Sequence, residues 1–137
     1  MSFDPTRDYP LGSGRPDLVF TVGGTPLADV TLEAVREGRM SAREARATPD
    51  TLRRQAAVAR AAGRLPLAEN LERAAELALV PDAELLEIYT ALRPGRSTTA
   101  ELERWAAQLD GYGARRTAAF VREAAGVYEQ RGLLARA

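Results

Sequence analysis

Apolar residues recur at helical spacing along most of the chain. Leu52, Ala56, Ala59 and Ala62 form one stripe, and Leu67, Leu71, Ala74, Ala75 and Ala78 a second. Opposite the second lie Glu69, Asn70, Glu72, Arg73 and Glu76. Leu85, Tyr89 and Leu92 make a third stripe. Leu102, Trp105, Ala106 and Leu109 make a fourth, and Phe120, Ala124, Val127 and Tyr128 a fifth. An apolar face backed by a polar one is the pattern of a helix lying on a core. The small side chains of the first stripe allow a neighbouring helix to approach closely.

Start and stop signals frame these stripes. Thr31 reads as an N-cap and Gly38 as a stop. Ser41 to Glu44, SARE, matches a capping box and predicts a short helix. Thr48 followed by Pro49 predicts a helix running to about Ala62 and ending at Gly63. Pro66 opens another, ending near Leu79. Val80-Pro81-Asp82 separates it from a third, which stops before Pro94. Thr98 and Glu101 form a second capping-box match, opening a helix that ends near Asp110. Gly111 to Gly113 breaks the chain. The last helix is predicted from about Ala114 to Arg131, closed by Gly132.

The segment before Asp29 is different. It holds Pro5, Pro10, Pro16 and Pro26, half of the eight prolines, and four of the eleven glycines. No continuous helix fits there. Leu18 to Val22, then Gly23-Gly24, then Thr25-Pro26-Leu27 has the pattern of a short β-hairpin, which would need something larger to lie on. The predicted class is all-α: about five to seven helices in a small array behind an irregular, Pro/Gly-rich N-terminal arm. The predicted division is an arm over 1–29 and a helical domain over 30–137.

Composition narrows the chemistry. The chain has 137 residues, 45% apolar, with 19 basic and 19 acidic side chains and no net charge. That is enough for a modest core and argues against disorder. Arginines and acids are interleaved, so no basic face offers itself to nucleic acid. All 19 basic residues are arginine, and histidine, cysteine and lysine are absent. Imidazole bases, thiolates, Schiff-base amines and the P-loop lysine are therefore excluded. Carboxylates, hydroxyls and guanidiniums remain. No apolar run is long enough to span a membrane, and MSFDPTR is too short and proline-broken for an amphipathic targeting helix. A cytoplasmic protein is expected.

Three places carry candidate chemistry. At the corner Arg93-Pro94-Gly95-Arg96, two permanent charges bracket a rigid turn. They suit a phosphate at the next helix N-terminus, carbonyls at the preceding C-terminus, or a protein contact. Glu84 and Glu87 near Tyr89, and Glu69, Glu72 and Glu76 on one helix, resemble acid–base pairs. Their mixture with arginine fits a solvated face better, with pairs such as Glu69–Arg73. Asp8 to Pro16, DYPLGSGRP, reads either as a disordered tail or as a strap anchored by Tyr9 and Leu11 and stiffened by Pro10 and Pro16.

The same segments carry a resemblance. DYPL near the start, DVTLEAV (29–35), TPDTLRRQAAVARAAGR (48–64), LAENLERAAELALVPDAELLEIYTALRPGRST (67–98) and AAFVREAAGVYEQR (118–131) stand in one order. In that order the chain resembles the small (gamma) subunit of adenosylcobalamin-dependent diol and glycerol dehydratases, from Asp8 to about Arg131. Two departures are visible: GSG follows DYPL where a more charged stretch is usual, and arginine stands where lysine is frequent.

The resemblance implies a heterohexamer of large, medium and small subunits. It implies radical dehydration of 1,2-propanediol to propionaldehyde and water, or of glycerol to 3-hydroxypropionaldehyde. Adenosylcobalamin and a metal ion would be bound by the other subunits. It implies no catalytic, cofactor-binding or metal-binding residue in this chain, and an arm docked on the large subunit. The interface residues expected are Asp8, Tyr9, Pro10, Leu11, Arg15 and Pro16 of the arm, and Tyr89, Arg93 and Arg96 near the corner, the two arginines bracing it. Packaging in a bacterial microcompartment would then depend on a partner's targeting segment. A free-standing helical adaptor and a small carboxylate-based hydrolase or lyase are the competing classes.

Overall fold

The computed structural model describes residues 2–136. Among them are seven α-helices: α1 (Leu11–Gly14), α2 (Leu32–Arg36), α3 (Pro49–Ala61), α4 (Leu65–Leu77), α5 (Asp82–Ala91), α6 (Thr99–Gly111) and α7 (Arg115–Arg131). The described residues contain no strand. They divide into two compact units, one up to Ala78 and one from Leu79 onward.

In the first unit, α3 and α4 form a helical hairpin. Thr48 accepts from the Thr51 amide, and Pro49 occupies the first turn, where a missing N–H costs nothing. The hairpin turns at Gly63, whose φ of 72° is open to glycine at little cost. The Arg64 amide then reaches back to the Ala59 carbonyl at 2.8 Å, and the Gly63 amide to Arg60 at 3.0 Å. This double bond pattern satisfies carbonyls that the helix leaves open. The buried residues of the two helices are all alanines: Ala56, Ala59, Ala68 and Ala75. With only methyl groups between them the backbones can approach closely.

In the second unit, α6 and α7 make a second hairpin with the same device at Gly113 (φ 78°). Thr98 accepts from the Glu101 amide at 3.3 Å, and the Glu101 carboxylate accepts from the Thr98 amide at 2.8 Å, so the expected capping box is complete. Leu102, Ala106 and Leu109 face Ala114, Ala118, Val121 and Ala125 in the core. Arg122 of α7 bonds both Glu103 (2.8 Å) and Asp110 (2.9 Å) of α6 along the rim.

Several expectations are corrected. The SARE segment is a run of turns, not a helix. The Glu44 carboxylate accepts from the Thr21 hydroxyl instead of capping Ser41, and Pro49 disfavours helix just ahead of it. The hairpin over 18–27 reduces to a single antiparallel bridge between Phe20 and Pro26, flanked by Thr21 N–H to Thr25 O and Leu27 N–H to Val19 O. Pro26 has no N–H to extend a ladder. In three stripes the residue next to an expected one takes the inside place. Ala68 is inside and Leu67 exposed; Ile88 is inside and Tyr89 exposed; Val121 is inside and Phe120 exposed. Ala62 and Ala78, at the ends of their stripes, are also exposed.

Candidate functional site

The arm is ordered by charge. Asp4 first closes a local turn, its carboxylate accepting from the Thr6 amide (2.9 Å) and hydroxyl (2.7 Å). Asp8, 5% exposed, then accepts from Arg7 Nε (2.9 Å), Arg15 Nη1 (3.1 Å) and the Asp4 amide (2.9 Å). Arg15 is held on its other side by Asp17, with bonds of 2.9 and 2.8 Å. The Arg7 bond and the Asp4 amide hold the Asp8 carboxyl down, at about 2. Asp17, and to a lesser degree Asp8, raise Arg15. A buried carboxylate bonded to two arginines and a backbone amide is a structural pivot for the arm.

The pivot sets the direction of Tyr9 to Gly12. Gly14 passes so close that a Cβ there would lie 2.8 Å from the Asp8 carbonyl oxygen. Leu11 is buried, while Tyr9, joined to Pro10 by a cis peptide bond, is 64% exposed. Tyr9, Pro10 and Leu11 form one wall of a groove of about 580 Å³, whose other wall is Val58 and Ala59 of α3, Ala62 at its C-cap, and Leu67 and Leu71 of α4. Arg54 of α3 donates to the Leu18 carbonyl at 2.8 Å and ties the arm to the hairpin. The segment Asp8 to Pro16 is therefore ordered against α3 and is not a disordered tail. Val58 and Leu67 were not expected in a groove; Leu67 reads from spacing as a core residue, and only the structure places it outside, beside buried Ala68.

At the corner, the structure brings Arg93 and Arg96 to the surface beside exposed Tyr89. It does not use them as braces. The corner is held by Gly95 N–H to Leu133 O (2.7 Å), Ala135 N–H to Ser97 O (2.8 Å), Ser97 Oγ to Ala91 O (2.9 Å) and Tyr128 OH to Leu92 O (2.5 Å). Neither guanidinium makes a hydrogen bond or ion pair with another described residue. Backbone amides and two hydroxyls hold it because the chain following Gly132 runs alongside the corner, so the arginines are left over.

The carboxylates are engaged singly. Glu84 accepts from Gln108 (2.5 Å) and from the Tyr112 hydroxyl (2.8 Å), which raises the Tyr112 phenol. Glu72 pairs across the hairpin with Arg60 at 3.5 Å, and Arg73 bonds Asn70. Among the described residues no three potential metal-ligating side chains converge. With imidazole and thiolate absent from the sequence, the donor set does not fit a metal that needs nitrogen or sulfur ligands, such as cobalt. What the surface offers is contact: an apolar groove in one unit and an apolar, arginine-flanked helix face in the other.

Comparison with known proteins gives that surface its context. The model of the family described as "Dehydratase small subunit" matches residues 5–135. The chain belongs to the dehydratase small-subunit family. It is 53% identical to the propanediol dehydratase small subunit of Salmonella typhimurium over 125 residues, covering 90% of this chain and 72% of that protein. It is 52% identical to the propanediol dehydratase small subunit of Citrobacter freundii, covering 90% of this chain and 73% of that one. The family match takes in both the arm from Pro5 and the corner at Arg93–Arg96. Being a small subunit, the chain has partner subunits in a dehydratase complex.

Proposed function

We propose that this chain is the small, structural subunit of a coenzyme B12-dependent propanediol dehydratase, a cytoplasmic enzyme converting 1,2-propanediol to propionaldehyde and water. The observation that carries the reading is 53% identity to a propanediol dehydratase small subunit over 90% of this chain. The adenosylcobalamin and the metal ion belong to the large and medium subunits. This chain's histidine-free, cysteine-free donor set supports that allocation. Its own contribution is contact surface: the arm, with Tyr9, Pro10, Leu11 and Pro16 positioned by Asp8 and Arg15, docks on the large subunit, and the corner residues Tyr89, Arg93 and Arg96 add a second contact. No helix among the described residues is long and apolar enough to cross a membrane.

Co-expression with and without this chain tests the reading. The three chains should co-purify as a heterohexamer and turn over 1,2-propanediol, and omission of the small subunit should abolish assembly or activity. Full activity and normal assembly of the two larger chains alone would refute it. A kcat/KM ratio favouring glycerol would move the assignment to a glycerol dehydratase.

A further inference from the structure

We infer that the outward face of α5 seats an apolar segment bearing carboxylates on a partner subunit of the dehydratase, an inference that rests on the function proposed above. The starting point is that α5 is apolar on two opposite faces. Leu85, Ile88 and Leu92 turn toward the core, with Ile88 3% exposed. Leu86 and Tyr89, each one position further along, turn away and are 69% and 56% exposed. Successive helical residues are about 100° apart, so neighbours such as Leu85 and Leu86 cannot share a face. A helix apolar on both sides normally has a layer on each, and the second unit supplies only one.

The missing layer is characterised by charge. Leu86 and Arg96 line a hollow of about 470 Å³ with Trp105, Glu87, Thr90 and Ala91. Arg93, exposed, follows directly after Leu92, the C-cap of α5. Elsewhere in this unit Arg122 is doubly paired and Arg104 reaches Glu101. Arg93 and Arg96 have no such partner among the described residues. Within the hollow Arg96 is balanced by one acid, Glu87, and Arg93 beside it brings the face to a surplus of one positive charge. A guanidinium covered by an apolar layer loses water and needs a carboxylate in its place. A large aliphatic and two aromatic side chains beside arginines are also the composition of binding hot spots. A second copy of this chain would bring the same surplus to a self-complementary contact, arginines against arginines. A different, acidic surface fits, and membership in a small-subunit family supplies a different chain.

The experiment uses the assembled holoenzyme, diluted in series, with loss of the small subunit followed by mass photometry. Arg93→Glu with Arg96→Glu, and separately Leu86→Ala with Tyr89→Ala, should each raise the dissociation constant at least about tenfold. The wild-type constant should weaken with added salt, and that of the charge-reversed variant should lose this dependence. Arg43→Glu with Arg115→Glu changes net charge equally elsewhere and should stay within about twofold of wild type. Arg93→Gln with Arg96→Gln, checked for unchanged helicity by circular dichroism, gives a milder neutralisation and should show a smaller loss in the same direction. Wild-type dissociation in both arginine variants overturns the inference. So does equal loss in the control pair, or dimerisation of the free chain through Leu86 and Tyr89 with holoenzyme retention unchanged. Failure of the wild-type chain to join the other subunits at all would overturn the proposed function itself, and it shows before any substitution is made.

Discussion

Leu109→Ala and Leu86→Ala delete the same atoms from the same unit, yet the structure sets their costs far apart. Leu109 is fully buried between α6 and α7. The other buried residues of the two helices and the turn between them are mostly alanines, at 106, 114, 118 and 125, beside Leu102, Thr117 and Val121. Alanine has no rotamer with which to swing into a void, so the cavity stays open. The loss is then expected in the middle of the range for buried leucines, about 3–4 kcal/mol, or roughly 100- to 1,000-fold in the unfolding constant. Leu86 is 69% exposed, and its truncation should cost less than about 0.5 kcal/mol. Urea unfolding followed by fluorescence measures both, because the single tryptophan, Trp105, lies on α6 and reports on this unit alone. Leu109→Met, which conserves volume, should lose no more than about 1.5 kcal/mol with the slope against urea unchanged. A loss below about 1 kcal/mol for Leu109→Ala, or an equal loss for Leu86→Ala, would refute the burial argument.

Two further outcomes concern the arm. The folded Asp8 carboxyl lies at about 2, below its ordinary 3.8, so its stabilisation is complete above the ordinary value and fades as pH falls toward 2. Hydrogen exchange in residues 4–18, corrected for intrinsic rates, should therefore accelerate over that acid window in the wild type. Asp8→Asn should already be fast at neutral pH, and an exchange rate equal to wild type there would contradict the pivot. Gly14→Ala places a Cβ 2.8 Å from the Asp8 carbonyl oxygen, whereas at Gly12 the nearest atom is a Leu27 methyl at 3.7 Å. Limited proteolysis should cut the Gly14→Ala arm faster than wild type and leave Gly12→Ala unchanged.

Features that depend on near neighbours were legible in the residues alone. Thr31, Thr48 and Thr98 cap helices as expected, the Thr98–Glu101 box forms in full, and Gly38, Gly63 and Gly132 close helices in the left-handed region. Each of these bonds joins groups a few residues apart, so the local chain decides them. The absence of imidazole, thiol and amine was likewise on view, and it pointed to contact surface over chemistry. Where a side chain had a distant competitor, reading failed. Glu44 went to Thr21, 23 residues away, and the SARE cap was never made. Periodicity located each helix but did not always choose between two neighbouring residues, about 100° apart, for the inside place. Large residues were expected inside, yet Ala68 displaced Leu67, Ile88 displaced Tyr89 and Val121 displaced Phe120. Close helix pairs admit small or branched side chains at the contact, and the spacing between two helices is a property of the pair. Only the folded chain could turn Leu86, Tyr89 and the two corner arginines outward together, because that orientation is set by what the opposite side of α5 packs against.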